Sequence, residues 1–346
     1  MKRLVLLICC VLLPFASAEV PQAFLTDIGG LVSGPEAGIA VGYLSGGEES
    51  SYFLGRPKFT GETLFEYGSL TKVLTAVLLA ELADEGTVSL SKSINLYLPE
   101  SAKGVKWDDV TLQSLATHTS GLPSLPPSMD EAFLSREGDN PYASFDEAQL
   151  FEALAEVTPN PAQGYLYSNF GYGLLGTLLA RAAGMSYDEL AQSRILEPLE
   201  MTATTLSSWS SNDVALPRTA SGTEATAWDF DALAPAGAAR GDLRDALKLL
   251  AASQEACDEI TPLAEANCAA QAATDVQISE FAWQGLAWIR SESTAGDIVW
   301  HNGGTGGYSS FLGFNVETGK GLVLLANVGG VTNDLAVKAL PLLAQP

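Results

Sequence analysis

Eight consecutive residues, Val73-Leu74-Thr75-Ala76-Val77-Leu78-Leu79-Ala80, leave a helix with no polar side to turn toward water. Such a helix is stable only when other elements surround it. The chain must therefore wrap a core, and 346 residues with 47% hydrophobic content suffice for one large or two modest domains. Disorder and a small disulfide scaffold are excluded.

Elements that could do the wrapping sit at both ends. Gly38-Ile39-Ala40-Val41-Gly42-Tyr43-Leu44 reads as a buried strand, Ser45-Gly46-Gly47-Glu48 as a turn, and Ser51-Tyr52-Phe53-Leu54-Gly55 as its hairpin partner. Ile298-Val299-Trp300, Ser310-Phe311-Leu312-Gly313-Phe314 and Gly321-Leu322-Val323-Leu324-Leu325-Ala326 read as three more strands, and residues 334–343 as a closing helix. Between them helical periodicity recurs over residues 73–85, 112–117, 145–157, 173–183, 187–195 and 243–253. The expected class is α+β: an antiparallel sheet built from both chain ends with flanking helices, and a mainly helical lobe inserted. The sheet lobe is expected at about 19–68 and 281–346 and the helical lobe at about 69–280, as one catalytic domain with its site between lobes.

The N-terminus reads as an export signal. Met1-Lys2-Arg3 precedes ten apolar residues, Leu4 to Leu13, and Ala16-Ser17-Ala18 suits signal peptidase, so 1–18 are expected to be removed and the protein to act in the periplasm or outside the cell. Nothing approaches the roughly 20 apolar residues of a membrane-spanning helix, so no stable membrane insertion is expected. Cys9 and Cys10 leave with the signal, the residues before them being too large for a lipidation site. Cys257 and Cys268 either close a short loop or stay as buried thiols.

Charge narrows the partners. A net charge of −23, from 41 acidic against 18 basic residues, offers no face for nucleic-acid phosphates. Two histidines and four cysteines leave little for a Cys/His metal centre, and no cofactor is expected. The expected partner is a small-molecule or peptide substrate, and the expected state a monomer.

The chemistry begins just before the apolar helix. Ser69 and Lys72 lie three residues apart in Phe65-Glu66-Tyr67-Gly68-Ser69-Leu70-Thr71-Lys72, which puts them on one face at the helix start. A lysine buried there loses its proton more readily and can help take the serine proton. Alone, the pair is better explained as a helix cap and a lysine reaching to solvent. It does not stand alone: Tyr165-Leu166-Tyr167-Ser168-Asn169 and Trp300-His301-Asn302-Gly303-Gly304 follow in order.

With these three motifs, S-x-x-K at Ser69–Lys72, Y-x-N at Tyr167–Asn169 and H-x-G at His301–Gly303, the sequence resembles the penicillin-recognising serine hydrolases. It is closest in pattern to their class C β-lactamase-like branch, which also holds DD-carboxypeptidases, D-amino-acid peptidases and lactamase-fold esterases. Residues 115–123, 195–201 and Pro235-Ala236-Gly237 look similar too, so the likeness runs from about Gly38 to Val328. The resemblance implies a β-lactamase/transpeptidase-like fold. It implies that Ser69 is the acylated nucleophile, Lys72 its activator, and Tyr167 a partner in proton transfer whose phenol a neighbouring ammonium would acidify. Asn169, His301, Asn302, Gly303 and Gly304 would bind substrate, Asn169 also holding Lys72, and the N–H groups of Ser69 and Gly304 would form an oxyanion hole.

The sequence departs from the class C pattern at His301, where those β-lactamases carry lysine. An imidazole is largely neutral above about 6.5, so recognition of a substrate carboxylate is in doubt. The expected activity is hydrolysis of β-lactams or D-Ala-D-Ala-type peptides through an acyl-enzyme, with a carboxylesterase as the alternative and a penicillin-binding paralogue without turnover behind both. Two other motifs are set aside. Gly171-Tyr172-Gly173-Leu174-Leu175-Gly176 matches the dinucleotide fingerprint but follows no buried strand. His118 as base of an ordinary Ser-His-Asp triad is set aside because Ser69 is not in a G-x-S-x-G elbow and His118 sits in a loop, which it is expected to tie to the helical lobe.

Overall fold

A computed structural model describes residues 19–346 except 33, 35, 130–139, 141 and 210–212. Residues 1–18, read above as an export signal, lie outside the described residues. Among the described residues no helix is long and apolar enough to cross a membrane.

The sheet has eight strands in the order β2-β1-β10-β9-β8-β7-β6-β5, every neighbouring pair antiparallel. They are β1 (Gly38–Ser45), β2 (Glu48–Gly55), β5 (Gln277–Ser279), β6 (Ala282–Gln284), β7 (Ile289–Ser291), β8 (Ile298–Gly304), β9 (Ser309–Asn315) and β10 (Gly321–Ala326), while β3 (Phe65–Glu66) and β4 (Arg240–Gly241) form a separate two-stranded ribbon. The two chain ends meet where β1 pairs with β10, in the register Ile39↔Ala326 to Leu44↔Gly321. The strands β5 to β7 are absent from the sequence expectation, and β8 runs four residues further than 298–300. Segments of three residues are too short to register as a period of two, and the glycines ending β8 hide its extended conformation.

Strand alternation divides the core. Ile39, Val41 and Tyr43 face a cluster with Phe24, Leu25 and Ile28 of helix Gln22–Gly29 and Leu335, Ala339 and Leu343 of helix Thr332–Leu343. Ala40, Leu312, Phe314, Val323 and Leu325 join the larger cluster around the apolar helix, which spans Thr71–Asp84 and is buried from Thr71 to Leu82. Helix Leu243–Glu255, in the stretch assigned above to the helical lobe, packs on the sheet: a side chain at Gly42 would collide with Leu247, and one at Gly321 would press on Leu250. Cys257 and Cys268 form a disulfide.

The glycines of the set-aside dinucleotide motif have a packing role. They lie in helix Asn169–Ala183, where a Cβ at Gly173 would meet Leu233 and one at Gly176 would meet Pro235, each closer than 2.5 Å. Their bareness lets the short helix Ala234–Gly237 dock on Asn169–Ala183 and carries Ala236 toward Lys72.

Candidate active site

Ser69 sits in the single 3-10 turn Gly68–Leu70 that leads into Thr71–Asp84. The turn is pinned from several sides. Ser310 on β9 donates to the Tyr67 carbonyl at 2.7 Å, Tyr67 N–H donates to Ala239 O at 2.8 Å, and Thr71 Oγ1 both donates to Gly68 O and accepts from Ala239 N–H. Gly68 has φ +55°, and a Cβ there would lie 2.7 Å from the Gly304 nitrogen. A Cβ on Gly303 would lie 2.2 Å from Tyr67 O and 2.8 Å from Ser69 N. Only glycine at both positions lets the end of β8 lie against the serine turn.

Lys72 is fully buried, and its three hydrogen-bond partners are all uncharged. Its Nζ lies 3.0 Å from Ser69 Oγ, 2.8 Å from Asn169 Oδ1 and 2.6 Å from Ala236 O. Burial drives the amine well below the usual lysine pKa. A neutral amine has two N–H groups and one lone pair. With both N–H groups given to the Asn169 and Ala236 carbonyl oxygens, which can only accept, the lone pair points at the Ser69 hydroxyl.

Tyr167 hydrogen-bonds the Ser69 side chain, and burial raises its phenol above the usual range despite that bond. The expected acidification by an ammonium does not occur: Lys72 Nζ lies over the face of the ring, 4.8 Å from its centroid, and is itself pushed toward neutrality. At rest the phenol is neutral, and burial biases the lysine toward its neutral amine. His118 holds this segment in place. Its ring packs at 4.5 Å on Tyr167, its Nδ1 accepts from Ser168 N–H at 3.0 Å, and its carbonyl accepts from Leu166 N–H at 2.8 Å. Burial, with Lys72 and His301 nearby, keeps His118 neutral, and Nε2 is buried without a partner.

On β8 the side chains alternate. His301 is buried beside the site, and burial together with Lys72 pushes it down to about 3, so it is a neutral imidazole whose Nδ1 lies 2.6 Å from Asn302 O. Asn302 is not brought to the serine. The alternation turns its side chain the other way, and its Nδ2 reaches Asn333 Oδ1 at 3.4 Å in helix Thr332–Leu343.

Sequence reasoning missed the opposite wall. Tyr142, Trp228 and Phe230 line a narrow pocket with Ser69, Asn169 and Gly304. Tyr142 stacks on Phe230 at 4.9 Å and meets Trp228 edge-on at 5.1 Å. Tyr142 also hydrogen-bonds Asn169, and burial raises its phenol to about 12. The space left is about 20 Å³, room for a single water. A separate cavity of about 510 Å³, lined in part by Phe230, does not include Ser69. These aromatic residues belong to loops and carry no periodic pattern. Ala236 was within reach, in the Pro235-Ala236-Gly237 segment noted for its similarity. Among the described residues no group of three or more His, Cys, Asp or Glu is placed to hold a metal ion.

A buried lysine 3.0 Å from a serine at a helix start, on an α+β scaffold with the end of β8 against the serine turn, is the arrangement these residues make. The sequence model of the beta-lactamase family matches residues 31–344, and the chain belongs to that family. It is 31% identical over 146 residues to a D-alanyl-D-alanine-carboxypeptidase/endopeptidase, AmpH, of Escherichia coli strain K12, a stretch covering 42% of this chain and 37% of the relative. It is 34% identical over 147 residues to a β-lactamase of the same strain, covering 42% and 35%. The match thus spans little more than a third of the length of these curated relatives. Among solved structures, a class C β-lactamase from Rhodobacter sphaeroides superposes with a TM-score of 0.79 at 22% identity, covering 93% of this chain and 98% of that one, a likeness of fold.

Proposed function

We propose that this protein is an exported serine hydrolase that works through a Ser69 acyl-enzyme on β-lactams or D-Ala-D-Ala-type peptides. The observation that carries the reading is the Lys72 amine, 3.0 Å from Ser69 Oγ with uncharged partners on its other two bonds. The neutral amine accepts the hydroxyl proton as Oγ bonds to the substrate carbonyl carbon. The N–H groups of Ser69 and Gly304 face the developing oxyanion. As the C–N bond breaks, the neutral Tyr167 phenol relays a proton to the leaving nitrogen and is reprotonated from Lys72. Water then attacks the acyl-enzyme with the same groups in reverse. The names of the relatives, a β-lactamase and a D-Ala-D-Ala carboxypeptidase, favour the substrate class.

The test is ring opening of a chromogenic cephalosporin in large molar excess, with Ser69→Ala as control. Turnover well past one equivalent in the wild type, lost by at least about 10⁴-fold in a folded Ser69→Ala protein, is the expected result. Equal rates in the two proteins would remove the mechanism. Release of one equivalent or less would leave β-lactams as inhibitors and make D-Ala peptides the substrate to assay.

One observation favours a second reading, a carboxylesterase. His301 is uncharged, and the described residues lining the Ser69 pocket include no arginine or lysine to meet a substrate carboxylate. Hydrolysis of short p-nitrophenyl esters without reaction toward penicillin would select it.

A further inference from the structure

Two buried charged residues outside the serine machinery converge on the aromatic wall. Glu66 and Arg240 face each other across the β3–β4 ribbon, both nearly inaccessible to water. Glu66 Oε1 accepts the Trp228 N–H at 2.6 Å. Arg240 Nη2 donates to the Trp228 carbonyl at 2.7 Å, Nη1 to Asp229 at 3.2 Å and Nε to Ala238 O at 3.3 Å. One residue's backbone is thus gripped on both sides. The ribbon is itself continuous with the catalytic parts, since Glu66 lies three residues before Ser69 and Arg240 three after Gly237, which lines the same pocket.

The grip fixes a ring. The Trp228 indole is wedged between Tyr142 and the chain after β8, where a Cβ on Gly306 would come within 2.7 Å of Nε1. With the indole there, the space against Ser69 is about the size of one water. Burying a carboxylate and a guanidinium is expensive, and the Glu66 carboxyl is raised to about 7 mainly by that burial. Apolar residues of similar volume would fill the ribbon at lower cost. What they could not do is bond the N–H and the carbonyl of Trp228 at once.

We propose that Glu66 and Arg240 are positioning residues that hold Trp228 over Ser69 as a size filter that favours small acyl groups over bulky ones. The proposal rests on the assignment of Ser69 as nucleophile and adds to it the residues that set its acyl selectivity. Neither side chain touches the substrate. They act through the Trp228 backbone, so loosening either one lets the indole swing aside and enlarges the pocket.

The experiment measures affinities of two boronic acids that add to the serine hydroxyl without turnover, acetamidomethylboronic acid and its bulkier phenylacetamidomethyl analogue. Wild type is expected to prefer the small one. Glu66→Met should shift the ratio of dissociation constants toward the bulky ligand by about tenfold, with Trp228→Ala shifting it further. Glu66→Gln, which keeps an acceptor for the Trp228 N–H, should stay near the wild-type ratio. Should Glu66→Met fail to fold, Arg240→Lys, which cannot span the same bonds, is expected to move the ratio the same way. A gain in bulky-ligand affinity is not something that general loss of stability produces. An unchanged ratio in folded Glu66→Met or Arg240→Lys, or a wild type that prefers the bulky boronate, overturns the filter. Binding of neither boronate by wild type overturns the Ser69 assignment instead, and the filter with it.

Discussion

The two walls of the Ser69 pocket are built in opposite ways. The proposed catalytic wall, Ser69, Lys72, Tyr167 and Asn169, comes from helix starts, and its members meet one another as uncharged partners or at hydrogen-bond distance. The facing wall, Tyr142, Trp228 and Phe230, comes from loops, and Trp228 in it is held by the buried Glu66 and Arg240. Bond-making demands fixed distances, which regular elements give and loops do not. Loops vary more freely than regular elements, so a wall built from them needs backbone ties such as those on Trp228 to hold one shape.

Breaking the catalytic wall should have the largest effect. Lys72→Met is expected to lower the acylation rate by about 10³-fold in rapid-mixing assays, because the base is gone while the helix core stays apolar. In the proposed mechanism Lys72 works as the neutral amine, and burial holds its pKa down. The wild-type rate should therefore fall toward acid pH as the amine takes up a proton, and Lys72→Met should lack that limb.

His301, buried on β8 near Lys72, sharpens the contrast. His301→Lys is expected to lower KM for carboxylate-bearing β-lactams by about tenfold while leaving short esters unmoved. The new cation beside Lys72 should also move the acid limb to lower pH. Steady-state kinetics on one penicillin and one ester across pH reads both effects.

The recognition wall carries its own pH signature in stability. Glu66 is raised from the ordinary carboxyl value to about 7, mostly by burial and against the opposing pull of Thr305, Arg240 and the Trp228 N–H, with Asp229 adding to the rise. The folded state therefore holds a proton that the unfolded chain has released, and stability should decline between about pH 4.5 and 7 by roughly 3 kcal/mol, then level off. Glu66→Gln should remove that slope in urea titrations at several pH values. The smallest kinetic effect belongs to a site on neither wall. Replacing Cys257 and Cys268 by serine together should cost about 3 kcal/mol of stability and leave kcat and KM in place.

The same contrast explains what could be read in the sequence. The buried helix, the individual strands at both chain ends and the Ser69–Lys72 spacing are local patterns, and each was legible. Asn169 meets Lys72 across 97 residues, and only resemblance to a known family could bring them together on paper. Asn302 shows the reverse: membership in a motif placed it at the site, and strand alternation turns it toward Asn333. The acidification expected of Tyr167 failed because the amine lies over the ring and shares its burial. Trp228 was invisible, since what makes it part of the site is a backbone bond to a residue 162 positions away. Cys257 and Cys268, left open by spacing alone, are joined.

The pairing of β1 with β10 has a consequence for the order in which the molecule comes into being. The serine turn emerges from synthesis about a fifth of the way along the chain, yet Ser310, which holds it, and Gly304, which closes against it, arrive near the end. Contacts of such long sequence separation are slow to form and cannot form early. A growing chain of this topology stays without a finished sheet and without a competent nucleophile until its last strands are delivered. Any product that ends before Gly304 and Ser310 lacks the contacts that shape the serine turn.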